Sequence, residues 1–438
     1  RREIDHKMYL GLKAALKNYR VIIGSREHLF WLIKNEVIRD SIYLMKSIGE
    51  LNIERIRILN KKNYLSNFDV EASITEHNLE RYFSHRSSKE TVSRMEYIFC
   101  WGNEDYKHWK KKYPMYKKKI INSGSISSTL WNKKFKNYYD YECKINKKKY
   151  KKYVLIVSNF NKIFNNNSIT DIIRGEKKIP GRFLNTKEEK LRIKALKDEI
   201  KLFRAFCLFI EKIAKENPKI NFVIRLHPSE KLNKWKLKVR NKKNIIYNNT
   251  RSLGSLLRSS LCSIHNGCTS GFEAYLSGVP ALIFSPFKLY RQKSQSNILG
   301  HKIKSSKDFK DIFNSSLYLK KRQKWFFNKK KDNFINQKIK NIKLGDPADK
   351  VLFAFNKLKV DKKNLNIEKI TFQKNIKIKV KKILKKYGII NLKYHEIKFP
   401  DIEMDEIHKI KSNLSKLNAG FRKCKIQKFL GNTFIIER

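Results

Sequence analysis

Short apolar runs alternate with segments of helical spacing along most of the chain. "REIDHKMYLGLKAALKNYRVIIGS" reads as an amphipathic helix followed by a short buried strand, Arg20 to Ile23, with Gly24 and Ser25 turning the chain. "SIYLMKSIGELN" and "ERIRILN" continue the alternation. "MEYIFCWGNEDYKHWKKKY" is an apolar strand ending at Gly102 with a helix after it, and "KKIINSG" is another strand with a glycine stop. Strands alternating with helices, with glycines at the strand ends, predict a parallel, doubly wound sheet. That pattern expects a first strand ahead of Arg2.

A second series begins at "YVLIVSNF". It continues through a helix over about Lys187–Glu216, a strand "NFVIRLHP", then "NIIYNN" and "SLGSLLRSS". Between the series, residues 132–150 are polar, charged and without period, and read as a linker. Residues 161–188 read as a long polar loop. After Pro286 the chain turns basic, and "KKRQKWFFNKKKDNF" predicts a solvated helix. "CKIQKFLGNTFIIE" reads as a β-hairpin turning at Gly431-Asn432. The expected organisation is a first Rossmann-like domain over 1–131 and a linker over 132–150. A second Rossmann-like domain follows over 151–355, and 356–438 form a small basic α/β extension.

Composition agrees with two packed domains. The chain has 438 residues, 41 % hydrophobic and 12 % aromatic, against a prior of roughly 150 residues per domain. Its formal charge of +59 raises RNA or an anionic membrane surface as partners. Lysine and asparagine are spread over nearly the whole chain, however, as a compositional bias toward Lys, Ile and Asn would spread them. Nucleic acid is therefore not the expected partner. The six cysteines form no CxxC pair and no Cys/His cluster of zinc spacing, so reduced thiols in a cytoplasmic protein are expected. No apolar run reaches the roughly 18 residues of a membrane span, and no signal-peptide pattern opens the chain.

One uncharged island stands out, "CSIHNGCTSGFEAYLSGVPALIF" from Cys262 to Phe284. It reads as strand "LCSIH", loop "NGCTSG", helix "FEAYL", a Gly-Val-Pro stop and a second apolar run. In a doubly wound sheet, ligands sit beyond the carboxyl ends of the strands. A helix starting near Ser270 aims backbone N–H groups and its positive end at that crevice. Thr269 and Ser270 add hydroxyls, and Gly267 and Gly271 admit an anion close to the backbone, which together describe a phosphate site. Ser270-x-x-Glu273 is equally an ordinary capping box that needs no ligand. In "IRLHPSE", Pro228 stops an apolar strand and leaves His227 at the same sheet edge. There it can bind a phosphate or protonate one that leaves. "NFDVEASITEHN" supplies Asp69 and Glu71, either of which could deprotonate a hydroxyl. The sequence has no Walker A loop, GxGxxG, HExxH, Ser-His-Asp arrangement or DxD-type metal site.

In order along the chain, "REIDHKMYLGLKAALKNYRVIIGS", "YIFCWGNEDYKHWKKKYP", "IVSNFN", "IRLHPSE" and "HNGCTSGFEAYLSGVPALIFSP" resemble bacterial surface carbohydrate biosynthesis proteins. These are GT-B-type glycosyltransferases similar in motif to polysialyltransferases, capsule Kdo transferases and CDP-glycerol glycerophosphotransferases. The resemblance covers roughly residues 1–350, with a weaker echo in "YHEIKFPDIEMDEIHKI". It implies an α/β fold of two Rossmann-like domains facing a cleft. It also implies metal-independent, inverting transfer from a nucleotide-activated sugar, CMP-linked donors being preferred, to a glycan or glycolipid hydroxyl. No cofactor is implied beyond that co-substrate. Carried over, Asp69 or Glu71 is the base and His227 with Pro228 is the His-Pro pair. Thr269 and Ser270 are the hydroxyl pair, and Glu273 holds the donor sugar or ribose. Asn159 and Asn266 complete the donor side with Gly267 and Gly271. "DVEA" stands where the family has two acidic residues and a glycine. "SGSISSTLW" stands where relatives read more like "GNPRFDLL". A CDP-polyol phosphotransferase, a UDP-sugar 2-epimerase and an RNA- or membrane-binding protein are the competing readings. The place of action is the cytoplasm, with peripheral contact at the inner membrane face as an extension.

Overall fold

The computed structural model describes residues 3–69, 79–165, 168–227, 230–239, 243–248, 253–288, 294–313, 323–360, 402–429 and 432–438. Thirteen strands lie among them, in chain order β1 (Val21–Gly24), β2 (Ser41–Met45), β3 (Asn63–Phe68), β4 (Tyr97–Cys100), β5 (Ile120–Asn122), β6 (Tyr153–Val157) and β7 (Asn221–Arg225). They continue with β8 (Ile245–Asn248), β9 (Ser263–His265), β10 (Ala281–Phe284), β11 (His301–Ile303), β12 (Lys425–Lys428) and β13 (Thr433–Glu437). The chain divides into two compact units. Arg1–Val70, Arg86–Leu130 and Ile339–Arg438 make one, and Glu71–His85 with Trp131–Lys338 make the other. The α/β class with two Rossmann-like parallel sheets, expected from the sequence, is the one observed.

In the first unit, β2-β3-β4-β5 form a parallel sheet whose order follows the chain in one direction. β1 does not join it. It pairs antiparallel with β13 in a separate three-stranded sheet, β1-β13-β12. Glycine permits this pairing, because a Cβ on Gly24 would stand 2.3 Å from the Thr433 Cγ2. The helix Ile4–Ala15 buries Met8, Leu12 and Ala15, spaced four and three residues apart on one face. Its Lys13 ammonium reaches Asp346 (2.6 Å) and Asp349 (2.8 Å) at the start of the helix Pro347–Phe355. The C-terminal residues read as an extension are therefore part of the first unit's fold.

The second unit holds the sheet β11-β10-β9-β6-β7-β8, all parallel. Counted within the sheet this is 6-5-4-1-2-3, the Rossmann order, with its switch point between β6 and β9. Alternation along β6 feeds two cores. Val154 and Ile156 face the layer of Leu202, Phe206, Ile210, Trp235 and Phe309. Tyr153, Leu155 and Val157 face Leu253, Leu256, Leu257 and Ala274. Burial on both faces explains why the strand reads as a continuous apolar run.

Several expectations change at this level. Residues 132–150, read as a linker, form a 3-10 turn (Lys133–Tyr139) and a helix (Asp140–Tyr150) of the second unit. The helix ends in buried Tyr150, whose hydroxyl accepts from the Asn248 amide (2.6 Å). Within 161–188, read as a loop, lie the helices Asn161–Asn165 and Ile169–Lys177, the latter capped by the Ser168 hydroxyl. The basic helix Lys329–Lys338 is not simply solvated. The buried Lys331 ammonium donates to the carbonyl oxygens of Trp325 (2.7 Å), Leu299 (3.2 Å) and Gly300 (3.3 Å), and burial pushes it down to about 8. The C-terminal hairpin is present as β12 and β13; Gly431 of its expected turn lies outside the described residues. Among the described residues, no helix is long and apolar enough to cross a membrane.

Candidate functional site

At the carboxyl edge of the second sheet, strand pairing places Ile283, His265, Val157, Arg225 and Asn248 in one row. The segments that leave this row are Ser158–Phe160 after β6, Asn266–Thr269 after β9, and Leu226-His227 after β7. Since β6 and β9 are the switch-point pair, their loops diverge to opposite faces and open the crevice where ligands of this fold class sit. The structure thus brings Asn159, His227, Asn266, Gly267 and Thr269 to one edge of one sheet.

The loop after β9 is built on a histidine that sequence reasoning passed over. His265 is fully buried, and its Nδ1 accepts the Gly267 N–H (3.1 Å). With Nδ1 an acceptor, the neutral ring carries its proton on Nε2. That Nε2 is buried and, among the described residues, has no hydrogen-bond partner, and neither has the buried Oδ1 of Asn266. Burial pushes the imidazole down to about 4, which keeps it neutral. Gly267 lies at φ +101°, and a Cβ there would stand 3.1 Å from the Ser294 Cβ. A Cβ on Gly271 would meet the His265 Nε2 and the Ser296 Cβ, each at 3.0 Å. Both glycines are thus fixed by close packing of the loop against Ser294 and Ser296.

The helix after the loop runs Ser270–Ser277 and ends at Gly278, left-handed at φ +72°, with the Val279 N–H donating to the Ala274 carbonyl (2.9 Å). Its start differs from the expected capping box. The N-cap is Thr269 in helical conformation, without a side-chain cap bond, so Ser270 lies inside the helix. A hydroxyl cap requires extended backbone at the cap residue. The first turn tightens instead, Gly271 N–H to the Cys268 carbonyl (3.1 Å) and Phe272 N–H to the Thr269 carbonyl (3.0 Å). The Ser270 hydroxyl pairs with the Cys268 thiol, and Ser270 and Glu273 are both buried. Thr269, by contrast, is half-buried.

The loops after β6 and β7 are joined by Glu230, a residue the sequence did not single out. Its carboxylate accepts the Ser158 hydroxyl (2.6 Å), the Phe160 N–H (2.6 Å), the Trp235 indole N–H (2.9 Å) and the His227 N–H (3.3 Å). Burial pushes this carboxyl up against those hydrogen bonds, which pull it down. The Glu230 N–H also donates to the His227 carbonyl (2.8 Å), and His227 is half-buried at the edge. Pro228 lies outside the described residues.

In the first unit, Asp69 follows β3 at the carboxyl edge of its sheet. It is buried, with its carboxylate 3.4 Å from the Arg86 guanidinium and its carbonyl accepting the Trp101 indole N–H (2.7 Å). Glu71 lies outside the described residues. No group of three or more His, Cys, Asp or Glu side chains with metal-binding geometry occurs among the described residues.

No protein-family model matches the chain. No curated protein sequence matches it. Solved structures similar to it include the UDP-GlcNAc 2-epimerase from Neisseria meningitidis bound to UDP-GlcNAc, at 13 % identity and TM-score 0.45, over 76 % of this chain and 79 % of that one. The Methanocaldococcus jannaschii UDP-GlcNAc 2-epimerase in complex with UDP-GlcNAc and UDP matches at 13 % identity and TM-score 0.46, again over 76 % and 79 %. The wall teichoic acid polymerase TagF, H444N variant, matches at 12 % identity and TM-score 0.42, over 73 % of each chain.

Proposed function

We propose that the chain is a GT-B-type glycosyltransferase of surface polysaccharide synthesis, taking its sugar from a nucleotide-activated donor. The observation that carries the reading is the switch-point loop itself. Gly267 holds a left-handed φ of +101°, Gly271 packs tightly on His265 and Ser296, Thr269 presents a hydroxyl, and neutral His265 fixes the loop without adding charge. Fixed dipoles of this kind select an anion by shape, whereas mobile lysines bind anions of any shape.

In the reaction, an acceptor hydroxyl attacks the anomeric carbon. A new C–O bond forms, the bond to the nucleotide phosphate breaks with inversion, and the electron pair leaves on the phosphate oxygen. His227 and the loop dipoles stabilise that oxygen. The hydroxyl proton passes to a carboxylate, for which Asp69 is the described candidate and Glu71 the alternative. Asn159, Asn266, Ser270 and Glu273 complete the donor pocket. A CMP-linked sugar is the preferred donor, a glycan or glycolipid the acceptor, and the cytoplasm, with peripheral contact at an anionic membrane, the place of action.

Product analysis tests this reading. Incubated with CMP-, CDP- and UDP-linked donors and a glycan acceptor, the chain should release nucleotide only when acceptor is present, with one inverted glycosidic bond per nucleotide. Because the donors to the phosphate are protein groups, EDTA should change the rate by less than about twofold. A phosphodiester product would assign a CDP-polyol phosphotransferase instead. Conversion of the sugar without acceptor would assign an epimerase, and either result overturns the transferase.

A further inference from the structure

The ten residues "KKKYPMYKKK", Lys110 to Lys119, set a short apolar stretch between two lysine triplets. The first triplet ends the helix Asn103–Lys112, and the second ends the 3-10 segment Pro114–Lys119 that leads into β5. β4 and β5 are parallel, so this turn lies at the amino edge of the first sheet, opposite the edge where Asp69 follows β3. It is held firmly from beneath. The buried Tyr113 ring stacks on Trp109 at 5.6 Å, and its hydroxyl pairs with that of Ser87 (2.7 Å). The Lys119 ammonium donates to the carbonyls of Met95 (2.6 Å) and Ser93 (2.9 Å). Lys111, Lys112, Pro114, Met115, Lys117 and Lys118 are left exposed around the outside.

Met115 is 77 % exposed. A lone exposed methionine is ordinary on a protein surface, but this one stands on a fixed turn among cations that have no counter-charge. Among the described residues, none of the four exposed lysines around it pairs with a carboxylate. Other cations at the same edge do. Lys62, ahead of β3, reaches Glu36 (2.8 Å), and Arg94, ahead of β4, reaches Glu90 (3.2 Å). In the second unit, Lys162, Arg182 and Arg192 close on Glu176. Burial pushes that carboxyl up, but the Arg192 hydrogen bond and the Lys162 charge outweigh it and hold it down at about 2. An even spread of lysine accounts for the number of cations, not for a place where they gather unpaired. The negative end of the helix favours the first triplet and gives no reason for Lys117 and Lys118.

We infer that this turn docks the protein on an anionic lipid surface, the lysines meeting the headgroups while Met115 and Pro114 enter between them. A lipid interface rewards positive charge and buried apolar area together. A nucleic acid would use the cations for its phosphates and leave the methionine without a role. Docking through the amino edge leaves the carboxyl edge, with Asp69, uncovered. The inference locates the membrane contact of the proposed function, on which it rests for its biological setting.

The test is co-sedimentation of the full chain with vesicles of phosphatidylcholine alone and of an equal mixture of phosphatidylcholine and phosphatidylglycerol. Wild type would be compared with Lys117→Gln/Lys118→Gln, with Met115→Ser, and with Lys144→Gln/Lys148→Gln. The last pair removes the same charge from exposed positions of the helix Asp140–Tyr150. Every replaced side chain is exposed, so circular dichroism melts should stay unchanged and lost binding is not lost folding. The wild type should bind the mixed vesicles and not the neutral ones. A lysine near an anionic bilayer contributes about fivefold in affinity, so losing Lys117 and Lys118 should weaken binding by about tenfold or more, and the control pair by less than about twofold. Met115→Ser should weaken it by about threefold or more, and that effect should persist in high salt, where the lysine effect fades. Equal weakening by the two lysine pairs would make the contact a matter of overall charge and overturn the docking turn. So would an unchanged Met115→Ser, no binding to the mixed vesicles, or binding of RNA through Lys117 and Lys118 in their place. Nucleotide titration without vesicles reports on the donor site separately, so the two readings can fail independently.

Discussion

His265 is the residue on which the site most depends, through its protonation. Its folded value near 4 lies below the ordinary 6.5. Between those values the unfolded chain binds the proton and the folded chain does not, so stability rises with pH there and falls as pH drops from 6.5 to 4. A shift of that size corresponds to roughly 3 kcal/mol at the acid end. Glu176 acts in a lower window, from its unfolded value near 4.5 down to about 2, so the two are separable. Thermal unfolding of wild type should therefore lose stability between pH 6.5 and 4.5, and His265→Gln should flatten that part of the profile. An unchanged slope in the variant would show that His265 is not the group titrating. Nothing in "LCSIH" marks this histidine in advance, because a strand-ending His gives no sign of its burial. His227 was easier to notice because Pro228 makes the strand end visible.

Among the elements, Glu230 connects two loops that the sheet alone leaves independent. Replacing it by Ala removes the acceptor from Ser158, Phe160 and Trp235 at once. Each stranded buried donor costs about 1–3 kcal/mol, so a loss on the order of 3–5 kcal/mol is expected in urea unfolding, together with weakened nucleotide binding. A loss below about 1 kcal/mol would show that the loops hold without it. Much of this level was legible beforehand. The expected helix from Lys187 to Glu216 differs by one residue at its start, and the strand–loop–helix from Cys262 onward is where the sequence placed it. The capping box was not formed, because the helix starts one residue early and Ser270 lies inside it rather than at its cap. Residues 161–188 were read as a loop because their helices are short and polar, and their apolar residues find partners only through the tertiary fold, Phe164 against Phe203 and Trp235, and Ile172 and Ile173 against Leu196. Spacing reports local rhythm, whereas these outcomes depend on tertiary neighbours.

For the whole molecule, the consequence of greatest reach is that the ends of the chain share one unit. β1 lies against β13, Arg20 pairs with Glu437 (2.9 Å), and the Tyr9 ring meets Phe421 edge-on. The sequence suggested the final hairpin but not its partner, since antiparallel pairing across some 400 residues leaves no periodic trace. A chain truncated after residue 401 should lose the partner of β1 and expose Ile23, now buried. Circular dichroism melts should show a Tm lower by at least about 10 °C, or the protein should aggregate; an unchanged melt would mean that the pairing adds nothing to the first unit.

If a nucleotide phosphate is held at the switch-point loop, thermal-shift titration with CMP, CDP and UDP should reveal it. Wild type would be compared with Gly267→Ala and His227→Ala. A ligand at 100 times its dissociation constant adds about 2.7 kcal/mol, readily visible as a rise in Tm. One nucleotide should stabilise the wild type, and either substitution should reduce that shift, more so Gly267→Ala, where φ is +101° and the loop packs at 3.1 Å. No response to any nucleotide, with stabilisation by RNA or anionic vesicles in its place, would contradict a nucleotide site at this loop.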